Sequence, residues 1–146
     1  MKALWTEDDP TFEGEFYRFS GVKFSPKPTQ RPHPPIWVGG RGRAAIRRTA
    51  RLGDGWHPNP STVDDVASRV GYLKDCVEAA GRTMSDIALS LRCELDILDS
   101  AVAEQSAPMI GTPDQLLATI DSFARLGVSE IVLSVSSGES GQVNEV

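Results

Sequence analysis

The chain has 146 residues, of which 40% are hydrophobic and 24% charged, and this balance is typical of one soluble globular domain rather than a disordered segment. Its formal net charge of -5 argues against a general affinity for nucleic acid or anionic membranes, because both require a basic surface. The two cysteines and two histidines do not have the spacing of a metal site, and no stretch has the length of a membrane span. We therefore expect a cytoplasmic protein with reduced thiols and with no metal, nucleic-acid or membrane partner.

The first third of the chain predicts a hairpin followed by an extended connector. Two aromatic and β-branched runs lie within residues 12–24 and are separated by Ser20-Gly21, a turn-forming pair. Residues 25–35 contain five prolines in eleven residues, which excludes a helix or a central strand.

Residues 36–135 predict strands and helices in alternation. A short apolar strand at 36–39 precedes a helix at 43–52, and a brief strand at 55–57 precedes a helix capped by Ser61 or Thr62. A clear alternation of apolar and polar residues predicts a strand at 87–97, and residues 99–111 show no regular spacing of hydrophobic residues. Thr112, Pro113 and Gln115 form a capping box for a helix that reaches Leu126, and a buried strand follows at 131–133. The Gly/Ser-rich residues 136–146 predict a loose tail.

This alternation predicts a parallel sheet with right-handed crossovers, either open and doubly wound or curled as part of a barrel. The strand at 87–97 favours the barrel, because one face is apolar while the other carries Ser90, Arg92 and Glu94. The alternative is a half-solvated antiparallel strand.

The stretch IWVGGRGRAAIRR, residues 36–48, is the chemically informative segment. A glycine-rich turn that leaves a strand and enters a helix presents unpaired N–H groups, and the helix dipole adds partial positive charge there. The pattern therefore favours a phosphate site, although it matches neither a dinucleotide fingerprint nor a P-loop. The alternative is that Gly39-Gly40 ends the strand and that Arg43, Arg47 and Arg51, four residues apart, line an exposed helix face.

Three segments in order carry a family resemblance: FEGEFYRFSGVKFSPKPTQRPHPPIWVGG, AAIRRTARLGDGWHP and GTPDQLLATIDSFARLGVSEIVL. Together they resemble the C-terminal half of luciferase-like flavin or coenzyme F420-dependent oxidoreductases over residues 4–135. The resemblance implies an α/β fold in which residues 1–146 form a single domain. This domain is half of a TIM-type (β/α) barrel with parallel strands, plus an N-terminal β-hairpin.

The resemblance also implies the cofactor and its contacts. The cofactor is FMN or F420, and its phosphate is held by Gly39, Gly40, Arg41, Gly42 and Arg43. Trp56 and His57 lie at the rim where barrel active sites gather, both as cofactor-binding residues and His57 also as a candidate proton donor. The alternatives are a packing tryptophan and a structural histidine.

Half of a barrel is expected to lack some of the residues that an active enzyme of this family needs. A complete barrel needs about 250 residues, and in the family the other half carries the residues that face the reactive ring, so no catalytic residue is assigned here. We expect the isolated chain to be inactive or barely active. Open sheet edges predict a homodimer. The alternative functions are a silent half-barrel that binds a phosphate-bearing ligand or only self-assembles, and a truncated gene product with a misassigned start.

Overall fold

The computed structural model of the protein describes residues 1–60, 62–103 and 107–135. The chain divides into two compact units, Met1–Pro35 and the part that begins at Ile36. The predicted loose tail at 136–146 and the candidate cap Ser61 lie outside the described residues. That residues 1–146 form one domain stays a prediction.

The first unit contains a short helix and a hairpin. Helix α1 covers Lys2–Thr6, and the antiparallel strands β1 (Phe12–Glu13) and β2 (Arg18–Phe19) form the predicted hairpin. Its turn lies between Gly14 and Tyr17 and not at Ser20-Gly21, because the Phe12 and Phe19 rings stack across the strands at 5.8 Å and fix an earlier register. Residues 25–35 contain no helix or strand, as their prolines predict.

The second unit alternates strands and helices. Its elements are β3 (Trp37–Gly39), α2 (Arg43–Leu52), β4 (Gly55–His57), α3 (Val63–Ala79), a 3-10 turn at Met84–Asp86, β5 (Ala88–Ile97), β6 (Ile110–Gly111), α4 (Pro113–Arg125) and β7 (Glu130–Val135). Among the described residues of this unit, every strand pair is parallel: β3 with β4, β4 with the start of β5, β6 with the end of β5, and β7 with the middle of β5. The predicted elements are present, and β6 is an addition. The last strand is not buried as predicted, because Val132 and Leu133 of β7 are 41% and 43% exposed.

The helices cover one face of this sheet. Ile46 and Ala50 of α2, with Leu73 and Val77 of α3, pack on Trp56 and Leu89. Leu116 and Phe123 of α4, with Val66 of α3, pack on Leu91 and Cys93. Burial raises the pKa of the Cys93 thiol to about 11.

The opposite face of the sheet carries the polar residues of β5. Ser90, Arg92 and Glu94 alternate with the core-facing Leu89, Leu91 and Cys93, and Arg92 and Glu94 are exposed. Because α2, α3 and α4 all contribute to the core on one side, the arrangement fits a barrel segment rather than a doubly wound sheet, which has helices on both faces.

Candidate functional site

The glycine-rich turn lies at the carboxyl end of β3, beside the end of β4. Gly39 is the register partner of His57. Gly40 has a φ of 94°, which L side chains rarely adopt, and an added Cβ would come within 3.3 Å of the Ala45 side chain. This position therefore favours glycine for its backbone conformation, and a side chain there would also be in tight contact with Ala45.

A buried tryptophan holds the turn from the core side. The Trp56 indole Nε1 donates a hydrogen bond of 2.9 Å to the Gly40 carbonyl oxygen. Trp56 is only 1% exposed, so the donor is fixed by core packing. The Gly40 carbonyl is thereby directed toward the protein interior.

A second donor holds the next carbonyl of the turn. Arg69 of α3 donates from Nη1 to the carbonyl oxygen of Arg41. Arg69 is itself oriented by Asp65, one turn earlier on α3, through an Nε–Oδ1 distance of 2.7 Å. This hydrogen bond raises the pKa of Arg69 above its ordinary value. The spacing of Asp65 and Arg69 predicts an ion pair, but no sequence signal connects Arg69 with Arg41.

The N-terminus of α2 opens directly from this turn. Its N-cap residue is Gly42, which has no side chain to cap the helix, whereas Thr62 and Thr112 accept hydrogen bonds at the starts of α3 and α4. The first helical bond runs from the Ile46 N–H to the Gly42 carbonyl. The N–H groups of residues 43–45 therefore have no acceptor within the helix.

Two arginines flank these N–H groups. Arg41 and Arg43 are both exposed. The Arg43 guanidinium lies over the Tyr72 ring, with its central carbon 5.2 Å from the ring centroid. The turn thus combines backbone donors, a helix N-terminus and two cations, which is the chemistry that binds a phosphate or sulfate group.

His57 is the neighbour of Trp56 along β4, but it belongs to the other face of the sheet. Its Nδ1 lies 3.0 Å from the Ser90 Oγ, and Ser90 is 2% exposed. The Trp37 ring meets the His57 ring edge-on at 6.4 Å, and Trp37 also lies over Gly55, where any side chain would overlap it. The turn and Trp56 are thus brought together, whereas His57 forms a separate group with Ser90 and Trp37.

Two features that the described residues lack concern metal binding and membrane insertion. In the described ranges, no group of three or more His, Cys, Asp or Glu residues is placed to hold a metal ion. Within the same part of the chain, no helix combines the length and apolarity needed to cross a membrane.

The sequence profile of the luciferase-like monooxygenase family matches residues 1–99. The chain therefore belongs to this family, as its motifs predict. It is 37% identical over 84 residues to an FMNH2-dependent dimethylsulfone monooxygenase of Pseudomonas putida, an alignment that covers 58% of this chain and 23% of that protein. It is 35% identical over 136 residues to an uncharacterized protein of Mycobacterium tuberculosis, covering 92% of this chain and 40% of that protein.

Solved structures show the same fold. The coenzyme F420-dependent tetrahydromethanopterin reductase of Methanopyrus kandleri superimposes with a TM-score of 0.79 at 13% identity, over 93% of this chain and 55% of that one. The monooxygenase RslO1 of Streptomyces bottropensis gives a TM-score of 0.65 at 31% identity, over 91% and 50% of the two chains. The predicted fold class, α/β with parallel strands and an N-terminal hairpin, is confirmed. The chain spans less than half the length of these two curated relatives and about half that of the two solved structures.

Proposed function

We propose that this chain supplies the cofactor-phosphate site of a luciferase-like oxidoreductase that uses FMN or F420. The observation that carries the proposal is the turn of Gly39, Gly40, Arg41, Gly42 and Arg43, which opens an uncapped helix at the carboxyl edge of the sheet. One relative is by name FMNH2-dependent and one structural neighbour F420-dependent, which supports a flavin-type ligand here.

The two anchored carbonyls explain how the turn would select an anion. A carbonyl oxygen that faced the ligand would repel a phosphate, and Trp56 and Arg69 each hold one carbonyl of the turn in a hydrogen bond with the protein. The N–H groups at the start of α2, together with Arg41 and Arg43, would then face the phosphate oxygens. Trp56 acts through Gly40 in this arrangement, and a direct contact between Trp56 and the cofactor stays a prediction.

The bound cofactor would supply the hydride or oxygen chemistry, and the protein would position it. On the polar face of the sheet, His57 is our candidate proton donor. The Ser90 hydroxyl near Nδ1 would fix the orientation of the imidazole ring. We assign no other residue to proton transfer.

Removal of the two flanking arginines tests the phosphate site. In the double variant Arg41→Ala/Arg43→Ala, we expect calorimetry to give at least a roughly tenfold weaker affinity for FMN or F420, because two charge-assisted contacts are lost. The double variant Arg48→Ala/Arg51→Ala is the matched control, since it removes the same amount of charge from the later turns of α2, away from the glycine-rich turn. Equal losses in both variants, or no binding of either cofactor by the parent chain, would contradict the proposal.

We propose further that the isolated chain is at most barely active. A half-barrel that holds the phosphate does not by itself orient a reaction partner near the reactive ring. The alternative function, a silent half-barrel that binds a phosphate-bearing ligand, predicts the same binding with no turnover in any context. Turnover above the free-cofactor background by the chain alone would contradict our proposal.

We also propose that the chain forms a homodimer. In the described structure, β3 pairs only with β4 and β7 only with β5, so each has an edge free to accept another strand. Phe16 is 83% exposed and Val135 72% exposed, and both would gain from burial between copies. We expect about 2,000 Å² or more of buried surface and the mass of a dimer in light scattering behind a sizing column. A sharp monomer peak with cooperative unfolding would contradict the dimer.

A further inference from the structure

Helix α2 carries a row of arginines beyond the phosphate turn. Arg43, Arg47 and Arg51 are exposed and four residues apart, so successive positions are about 6 Å apart along the axis and the row is about 12 Å long. We call these three residues the arginine strip. Within the described part of the chain, none of the three has a carboxylate oxygen within ion-pair distance.

This uncompensated charge is unfavourable for the helix itself. Like charges four residues apart destabilise a helix, and Arg43 stands at the end where the dipole already gives partial positive charge. The chain as a whole has a net charge of -5, so the strip stands out against an acidic protein. The strip is therefore a local concentration of positive charge that no described carboxylate neutralises.

A neutral residue orders part of the strip. Tyr72 of α3 lies beneath the Arg43 guanidinium, and its hydroxyl oxygen accepts a hydrogen bond of 3.3 Å from Arg47 Nη1. A tyrosine holds the two side chains without cancelling their charge, whereas a carboxylate would cancel it. The entropic cost of ordering these arginines on a ligand is correspondingly smaller.

Two surface depressions border the strip, and both are lined by Arg47 and Arg51. The first, of about 420 Å³, continues to Cys76, Ala79 and Ala80 of α3. The second, of about 320 Å³, continues to Ala44, Arg48 and Leu52 of α2. A ligand laid along the strip therefore has room for its backbone on either side of the charged groups.

We propose that the arginine strip binds an extended acidic peptide. In an extended chain, alternate side chains point to the same side about 6.6–6.8 Å apart, which is close to the axial rise of about 6 Å between successive backbone positions of the strip. Five residues with carboxylates at the first, third and fifth positions span the strip. A nucleic acid is the less favoured ligand, because its long run of phosphates would meet the net negative charge of the rest of the chain. Arg43 is shared with the proposed phosphate site, so a bound cofactor is expected to compete for it, and the peptide is therefore tested without cofactor on variants of Arg47 and Arg51 alone.

The test uses fluorescence anisotropy with a fluorescein-labelled hexaglutamate peptide at low salt and without cofactor. We expect binding that weakens as salt is added, and at least a tenfold loss of affinity in Arg47→Gln/Arg51→Gln. The control Arg18→Gln/Arg125→Gln removes two exposed arginines elsewhere and is expected to change the affinity less than threefold. Circular dichroism establishes that both variants are folded.

A second comparison tests the spacing. The peptide Glu-Ser-Glu-Ser-Glu is expected to bind more tightly than Glu-Glu-Glu-Ser-Ser, which has the same charge but fewer carboxylates on one side. Absence of hexaglutamate binding, an equal loss in the control variant, or tighter binding of a single-stranded oligonucleotide would each overturn the proposal.

Discussion

Replacement of Trp56 with alanine is expected to lower the free energy of unfolding by about 3–5 kcal/mol, because it leaves a large cavity in the core. The side chain is 1% exposed and packs with α2 and α3 through the cluster that contains Ile46 and Leu73. Urea denaturation followed by circular dichroism measures the loss. A total stability of about 5–15 kcal/mol is usual for a domain, so this change removes a large part of it.

Trp56→Phe separates packing from hydrogen bonding. Phenylalanine keeps much of the ring but cannot donate to the Gly40 carbonyl, so we expect weaker phosphate binding with a smaller stability loss than in Trp56→Ala. Trp37→Phe is the matched control, because Trp37 is 44% exposed and, among the described residues, the Gly40 carbonyl is held by Trp56. If Trp56→Phe and Trp37→Phe bind FMN or phosphate equally well, the anchoring of Gly40 has no role in anion binding.

Arg82→Ala is expected to cost roughly 2 kcal/mol of stability. Arg82 Nη1 donates to the carbonyls of Ala50 at 3.0 Å and Gly53 at 2.8 Å, and these are among the last carbonyls of α2 and its cap. A cation at a helix C-terminus also complements the dipole. Thermal unfolding of the variant measures the effect.

The control for Arg82 is its ion pair with Asp86. The two charged groups are 4.0 Å apart and the Asp86 side chain is 48% exposed, so this pair contributes little. Asp86→Asn is therefore expected to be clearly less destabilising than Arg82→Ala. Asp86 Oδ2 also accepts a hydrogen bond of 2.9 Å from the Thr83 N–H, and asparagine can still accept it through Oδ1, so the substitution removes chiefly the charge. A loss in Asp86→Asn as large as that in Arg82→Ala would contradict a dominant contribution from the capping of α2.

Local patterns explain what the sequence predicts well. The capping box of Thr112 and Gln115 and the alternation around Leu89 and Leu91 each depend on residues close together in the chain, and both are present. Strand β6 has only two residues, too few for any periodicity, and it exists because it pairs with the end of β5. A local sequence pattern therefore does not predict a strand that depends on such a long-range pairing.

The sequence predicts the glycine-rich turn of the candidate site, but it does not predict the hydrogen bonds that hold the turn and the histidine in place. The glycines and arginines of residues 39–43 are visible in the sequence, because phosphate chemistry has a local signature. The contacts of Arg69 with Arg41, of Trp56 with Gly40 and of Ser90 with His57 join residues 28, 16 and 33 positions apart. These contacts follow from the packing of α3 and the register of the sheet, so they become visible only once the chain is folded.

The Trp37 ring lies directly over Gly55, and this contact couples two positions that are 18 residues apart. A Cβ at position 55 would come within 2.3 Å of the ring, so a residue other than glycine is accommodated there only if the Trp37 side chain moves. A smaller residue at position 37 would lift the restriction. The residues at positions 37 and 55 are therefore expected to vary together across related sequences. An alignment of many family members is expected to show this covariation.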